Sequence, residues 1–147
     1  MTAEDIKNLR EKTGAGVMDA KRALEEAGGD LDRAVQIIQE KGLVKAEKKA
    51  DRATGAGLIY SYIHNERIGV LLDIRCETDF VARTEDFKGL AHDVAMQIAA
   101  MEPENVEALY AGPFIKDQGI TVEKLVKGVI AKLGENIKVE KFCRYAL

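Results

Sequence analysis

The sequence predicts an α+β protein in which three short helices precede a three-stranded antiparallel sheet with helices packed on one face. Over residues 1–43, apolar residues recur at helical spacing and glycines separate the amphipathic segments. Segments 58–63 and 68–76 are rich in β-branched residues, flank a polar turn and have the pattern of a β-hairpin. Two longer amphipathic segments then lead to a last alternating segment. The order strand, strand, helix, helix, strand favours one sheet with its helices on a single side.

The N-terminal helices form a small unit with tight glycine connections. The first helix is expected to end at Gly14 and the third at Gly42, because glycine favours helix C-termini. The loop 14–18 presents glycine backbone and an apolar side chain at one corner. This corner is either a docking surface or only a tight helix–helix turn. A bundle of this size buries little surface, so we expect it to be marginally stable alone.

Residues 44–55 favour a helical linker, because alanine and long charged side chains predominate there. Four of its residues are basic, namely Lys45, Lys48, Lys49 and Arg52. They either contact an anionic partner or belong to a solvated helix, and short charge runs usually serve only solubility. The predicted division is a helical domain at 1–43, the linker at 44–55 and an α+β core domain at 56–147.

The junction after the second strand is the most informative part of the chain. Strand 68–76 alternates strictly, and a helix is expected to start near Thr84. Between them stand four residues on a short, exposed connection, namely Thr78, Asp79, Phe80 and Val81. A phenyl ring beside a carboxylate is costly to leave in water at such a position. Its shape suits insertion into a pocket of another molecule.

Two helices complete the predicted core domain. Four polar residues stand where helices should begin and can cap them, namely Thr2, Asp30, Thr84 and Thr121. The helix from Thr84 ends near Pro103, and the helix from Thr121 ends at Gly134. Residues 102–120 contain both prolines and predict a loop with a short helical turn near 106–110.

The last strand, Ile137–Tyr145, is expected to carry its apolar residues on one side, namely Ile137, Val139, Cys143 and Tyr145. Lys141 interrupts that side, which indicates a β-bulge or an edge position. The sheet face opposite the helices includes Leu71 and should be left partly uncovered. An uncovered apolar sheet face usually packs against a partner.

Composition excludes several classes of protein. The chain is 46% hydrophobic and 32% charged, as in folded soluble proteins, and its net charge of −3 gives no general attraction for nucleic acid. Tryptophan is absent and no apolar run is long enough to span a membrane. The N-terminus lacks the pattern of a signal peptide. Cys76 and Cys143 are too few for a disulfide framework and lack metal-ligand spacing, so we expect a cytoplasmic protein without metal or cofactor.

An enzyme using Cys76, His64 and Asp79 as a nucleophile system is one rival interpretation. His64 lies in the hairpin turn, whereas Cys76 ends the second strand of the same hairpin. A strand of that length spans roughly 25 Å, so the two side chains should not meet.

Three motifs, in the same order, resemble those of the translation elongation factor Ts family. Residues 9–24 read LREKTGAGVMDAKRAL and resemble the N-terminal signature of that family. Residues 76–83 read CETDFVAR and resemble its second signature. Residues 134–137 and 142–145 are similar to its C-terminal strand.

The resemblance implies a ubiquitin-associated-like three-helix domain followed by a core with an antiparallel sheet. It implies a guanine-nucleotide exchange factor, not an enzyme, that binds elongation factor Tu in its GDP-bound and nucleotide-free states. In the family, the junction that corresponds to 78–81 intrudes near the magnesium and phosphate-binding elements of the partner. The N-terminal contacts carried over by the resemblance are Leu9, Arg10, Gly16, Val17, Met18 and Lys21.

The chain departs from the family pattern in three respects. Arg75 stands where the family usually has asparagine, and arginine cannot accept a hydrogen bond from the following turn. Residues 102–114 replace a longer region. The chain has room for one core module where long relatives have two, so we expect a homodimer through the core sheet. Cys143 could approach its symmetry mate there, but we expect a buried free thiol. A second rival interpretation is a ubiquitin- or polypeptide-binding adaptor that uses the helical domain alone.

Overall fold

Seven helices and five strands follow one another along the chain, and the computed structural model describes all 147 residues. The helices are α1 (Ala3–Thr13), α2 (Val17–Glu26), α3 (Leu31–Lys49), α4 (Asp79–Ala82), α5 (Glu85–Met101), α6 (Val106–Ala111) and α7 (Val122–Leu133). The strands are β1 (Ala56–His64), β2 (Ile68–Cys76), β3 (Pro113–Phe114), β4 (Asp117–Thr121) and β5 (Lys138–Ala146). The predicted α+β class is confirmed. None of the helices combines the length and the apolar character that crossing a membrane requires.

The three N-terminal helices enclose a small apolar core of their own. Leu9 from α1, Leu24 from α2 and Ile37 from α3 are buried in it. Gly14 ends α1, as predicted, with a φ of 73° that glycine adopts without a Cβ clash. All four predicted helix caps are observed, each accepting a hydrogen bond from a backbone N–H three residues later.

The third helix does not end at Gly42, so that prediction was wrong. α3 continues to Lys49 and includes the first part of the predicted linker. A Cβ at Gly42 would lie 3.2 Å from the Cβ of Ala131, so glycine permits a close approach of α3 to α7. Ala46, one turn later, is buried in the larger apolar core, which the sheet and its helices enclose. Packing against α7 therefore outweighs the cost of about 1 kcal/mol for glycine within a helix.

The sheet has the order β1-β2-β5 and is antiparallel throughout, as predicted. α5 packs against β1 and β2, α6 packs against β5, and α7 packs against α5 and α3. Side chains from these elements form a core of 20 buried residues, in which Leu72 and Ile74 of central β2 face Phe87 and Ile98 of α5. The helices thus cover one face of the sheet and leave the other open.

A β-bulge beside Lys141 is confirmed, and it reverses the faces of the last strand. Asp73 pairs with Lys141 but Ile74 pairs with Val139, so one extra residue stands between them on β5. Val139 is buried, whereas Cys143 and Tyr145 emerge on the open face. The prediction that these residues share one side was therefore wrong. The prediction of a buried Cys143 thiol was also wrong.

The loop predicted at 102–120 contains a helical turn and a small hairpin. α6 confirms the predicted turn, but the pairing of β3 with β4 was not predicted. Buried Gln97 of α5 holds this hairpin: its Nε2 donates to the Pro113 carbonyl at 2.8 Å, and its Oε1 accepts from the Ile115 N–H at 2.9 Å. No local pattern reveals a hairpin that a side chain from a distant helix stabilises.

Candidate functional site

The junction between β2 and α5 presents one large apolar side chain to solvent. Phe80 is 81% exposed, although it belongs to the four-residue helix α4. The prediction that Val81 is also exposed was wrong: it is only 5% exposed and packs in the large core that the sheet and its helices enclose. Thr78 caps α4, with its Oγ1 accepting from the Val81 N–H at 3.3 Å. Asp79 is exposed beside the ring.

Glu135, directly after α7, anchors the backbone of this junction. One carboxylate oxygen accepts from the Glu77 N–H at 3.1 Å and from the Thr78 N–H at 2.9 Å. The other accepts from the Thr78 hydroxyl at 2.7 Å. Sequence reasoning did not single out Glu135 as a residue that holds this junction. The available signal was weak, because it follows Gly134 in a segment that was notable only for its family resemblance.

Arg75 does not take part in the turn that follows it. Its guanidinium forms two hydrogen bonds with Asp73, from Nε at 3.0 Å and from Nη2 at 3.1 Å. The hydrogen bond from Arg75 is the main cause that lowers the pKa of Asp73 below its ordinary value. The hydrogen-bond acceptor that an asparagine could supply to the turn is provided by Glu135 instead.

The N-terminal corner presents most of its predicted contact residues to solvent. The exposed members are Arg10, Gly16, Val17, Met18 and Lys21. Nε of Arg10 donates to the Ala15 carbonyl at 3.2 Å and so braces the α1–α2 loop. Leu9 is fully buried among the three helices and supports α1 from within.

The last turn of α7 lies between the two predicted contact segments. A Cβ at Gly14 would lie 2.7 Å from Cε of Lys132, so the Lys132 side chain passes directly over the α1–α2 loop. Nζ of Lys132 pairs with Asp86 of α5 at 3.2 Å. Glu135 then reaches the β2–α4 junction only three residues later. Both segments therefore contact the same end of one helix.

The nucleophile system suggested by Cys76, His64 and Asp79 is not assembled. Cys76 pairs with Ala56 at one end of the hairpin, and His64 pairs with Ile68 at the other. Burial, and after it the nearby Glu135 carboxylate, raises the pKa of the Cys76 thiol, which donates to the Thr78 carbonyl. No group of three or more His, Cys, Asp or Glu side chains is arranged to hold a metal ion.

The basic stretch of the predicted linker is partly paired within the chain. Lys45 lies 3.5 Å from Asp19, and Arg52 lies 3.6 Å from Glu77. These ion pairs favour the linker-helix explanation over an anionic partner.

The sheet face that the helices leave uncovered, which we call the open sheet face, carries several exposed apolar side chains. Its exposed members are Ile59, Ile63, Leu71, Cys143 and Tyr145. Leu71 of β2 stands directly opposite Cys143 of β5 in the register, at the middle of the sheet. A group of exposed apolar side chains on one sheet face is typical of an interaction site.

Comparisons with known proteins agree with this architecture. The family model described as "Elongation factor TS" matches residues 77–147. The chain is 45% identical over 192 residues to Elongation factor Ts of Synechococcus sp. (strain JA-3-3Ab), with 99% of this chain and 68% of that protein covered. It is 43% identical to Elongation factor Ts of Microcystis aeruginosa (strain NIES-843 / IAM M-2473), with coverages of 100% and 77%. The protein of the same name from Petrotoga mobilis is 42% identical, with coverages of 100% and 98%.

These alignments are longer than the 147 residues of the chain, so the relatives carry additional residues inside the aligned region. The alignment length agrees with a chain that lacks a segment found in its relatives. That the missing segment falls at residues 102–114 stays a prediction.

Proposed function

The chain belongs to the elongation factor Ts family, and from this membership we propose that it is a guanine-nucleotide exchange factor for elongation factor Tu, without covalent chemistry of its own. It binds the GDP-loaded partner, promotes release of GDP and holds the nucleotide-free partner during translation elongation. The compartment of this reaction is the cytoplasm. The observation that carries the proposal is the exposed ring of Phe80 on a turn held by three hydrogen bonds.

The mechanism is thermodynamic linkage between two ligands of one partner. A factor that binds empty elongation factor Tu more tightly than the loaded form weakens nucleotide binding by the same ratio. Burying the Phe80 ring in the partner is worth about 2–3 kcal/mol. That free energy corresponds to a shift of about a hundredfold, so a larger acceleration requires further contacts.

Asp79 and the N-terminal corner supply these further contacts. Thr78 and Glu135 already fix the turn, which leaves the exposed Asp79 carboxylate available to compete for groups that otherwise serve the magnesium ion or the phosphates. The corner with Val17 and Met18 binds the nucleotide-binding domain of the partner. Buried Leu9 and Val81 support these surfaces without contacting the partner themselves.

The division into a helical domain at 1–43, a linker at 44–55 and a core domain at 56–147 is part of this proposal. The separate apolar cores of the N-terminal helices and of the sheet with its helices support it. In this arrangement, the helical domain anchors the partner while the core domain presents Phe80.

Release of a fluorescent guanine nucleotide from elongation factor Tu tests the exchange function. Phe80→Ala should slow stimulated release by up to about a hundredfold, because the free energy of burying the ring is lost. Met101→Ala is the matched control, since it removes another exposed apolar side chain from a site outside both contact segments. A normal release rate with Phe80→Ala would refute the role of the ring. The adaptor alternative predicts a chain that binds its ligand through residues 1–43 and does not stimulate release at all.

We also propose a homodimer formed through the open sheet face, because its exposed apolar residues surround the middle of β2 and β5. Leu71→Lys places a charge at the centre of this face and should shift the chain to a monomer in sedimentation equilibrium. A wild-type chain that remains monomeric at micromolar concentrations would contradict the dimer and leave the exchange function untouched.

A further inference from the structure

The strongest unassigned feature is a group of polar side chains at the end of α7, which we call the α7-end cluster (Lys132, Glu135 and Asn136). Each of its members connects segments that lie far apart in the chain. Glu135 accepts three hydrogen bonds from residues 77 and 78, which are 58 and 57 positions away. Hydrogen bonds to an ionised carboxylate are about twice as strong as neutral ones.

Glu135 controls the orientation of the Thr78 hydroxyl. That hydroxyl donates to Oε2 of Glu135 at 2.7 Å, which leaves its lone pairs to accept from the Val81 N–H at 3.3 Å. The second bond is the cap of α4. A helix of four residues does not persist on its own propensity, because helix nucleation is unfavourable. The direction of Phe80 therefore depends on Glu135 through Thr78.

Asn136 completes a reciprocal connection between the same two segments. Its backbone N–H donates to the Glu77 carboxylate at 2.6 Å, while the Glu77 N–H donates to Glu135. Its buried side chain donates to the carbonyls of Ala50 and Arg52, at 3.3 and 2.9 Å. The end of the linker is thus tied to the same cluster.

Lys132 extends the cluster to the N-terminal corner. Its aliphatic chain lies against Gly14, and its Nζ pairs with Asp86 in the first turn of α5. One short stretch of chain therefore contacts both surfaces that the proposed function assigns to partner binding.

We propose that the α7-end cluster is the positioning element of the exchange reaction, with Glu135 as the positioning residue for Phe80. This proposal rests on the proposed exchange function. Glu135 does not contact the partner. It holds residues 77–81 in the conformation in which the Phe80 ring can enter the partner. Binding of the partner therefore does not require this segment to become ordered first.

Kinetics of nucleotide release distinguish this role from a contact with the partner. Glu135→Ala should lower the maximal stimulated release rate roughly tenfold, because hydrogen bonds to a charged group are lost. The concentration for half-maximal stimulation should change little, since the N-terminal corner remains intact. Glu135→Gln keeps the length of the side chain and one acceptor oxygen for the two backbone N–H groups, but its Nε2 cannot accept from the Thr78 hydroxyl, so it should recover only part of the rate. Glu104→Ala, at an exposed carboxylate without a side-chain hydrogen bond, is the matched control.

A double-mutant cycle separates positioning from general destabilisation. In the Phe80→Ala background, Glu135→Ala should cause much less than a tenfold further loss of rate if it acts mainly through the ring, because only the Asp79 contact on the same turn remains to be lost. Amide hydrogen exchange of the free Glu135→Ala variant should speed up at residues 77, 78 and 81, and not across α5. A further tenfold loss in the Phe80→Ala background, or unchanged protection of those amides, would overturn the proposal.

The outcomes also separate this proposal from the exchange function itself. A slow Phe80→Ala variant with fully active Glu135 variants would refute only the positioning role. If Phe80→Ala itself is fully active, the exchange mechanism through the ring fails, and the positioning role fails with it.

Discussion

Alanine substitutions of Phe80 and Val81, made separately, should show that Phe80 serves nucleotide exchange whereas the adjacent Val81 serves the stability of the fold. Both lie in α4, but Phe80 is 81% exposed and Val81 is 5% exposed. The Val81 side chain contributes to the core of the protein, whereas the Phe80 side chain contributes almost nothing to it. In the absence of a partner, the free energy of unfolding should therefore fall when Val81 is replaced and should hardly change when Phe80 is replaced.

The expected magnitudes follow from the burial of each side chain. Val81→Ala removes two methyl groups from the core, at about 0.8 kcal/mol each, and leaves a small cavity. We expect a loss of about 2 kcal/mol in the free energy of unfolding, which corresponds to roughly 4–8 °C in the melting temperature for a chain of this length. Phe80→Ala should stay within about 0.5 kcal/mol of the wild type, as for other surface substitutions.

Urea denaturation followed by circular dichroism measures both effects. The midpoint should fall for Val81→Ala at an unchanged slope, and stay constant for Phe80→Ala. A midpoint that falls as far for Phe80→Ala as for Val81→Ala would show that the ring supports its own core. In that case the ring would not be available to a partner, and the reasoning from exposure would be refuted.

Two further predictions concern titratable side chains. Cys76 should resist iodoacetamide in the native protein and react only after unfolding, because burial raises the pKa of its thiol. Cys143 is exposed and should react in a dilute native sample. Peptide mass spectrometry measures the modification at both sites. Arg75 lowers the pKa of Asp73 below 3.8, so their pairing stabilises the fold fully above that pH and the stabilisation is lost as pH falls through the lowered pKa. Acid unfolding of Arg75→Ala should therefore begin at a higher pH than in the wild type, and an identical acid transition would show that the pair contributes nothing.

The local pattern of the sequence determined the elements and the exposed junction. Helix caps such as Thr84 and Thr121 act on backbone groups three residues away, so their effect is visible in a short stretch of sequence. The alternation of β2 and the helix start at Thr84 likewise identified a strand exit with an aromatic side chain in a short connection. The caps, β2 and the exposure of Phe80 depend on neighbours in the chain and were predicted correctly, whereas the helix α4 and the burial of Val81 were not predicted.

The tertiary structure decided the features that depend on residues far apart in the chain. Gly42 remains within α3 because Ala131 of α7 packs against it, and the face of Cys143 is set by a bulge in the pairing of β5 with β2. Glu135 holds the Phe80 turn across 57 residues, a contact that no spacing pattern encodes. Local propensities are worth a few tenths to about 1 kcal/mol per residue, so packing and long-range hydrogen bonds override them wherever the two compete.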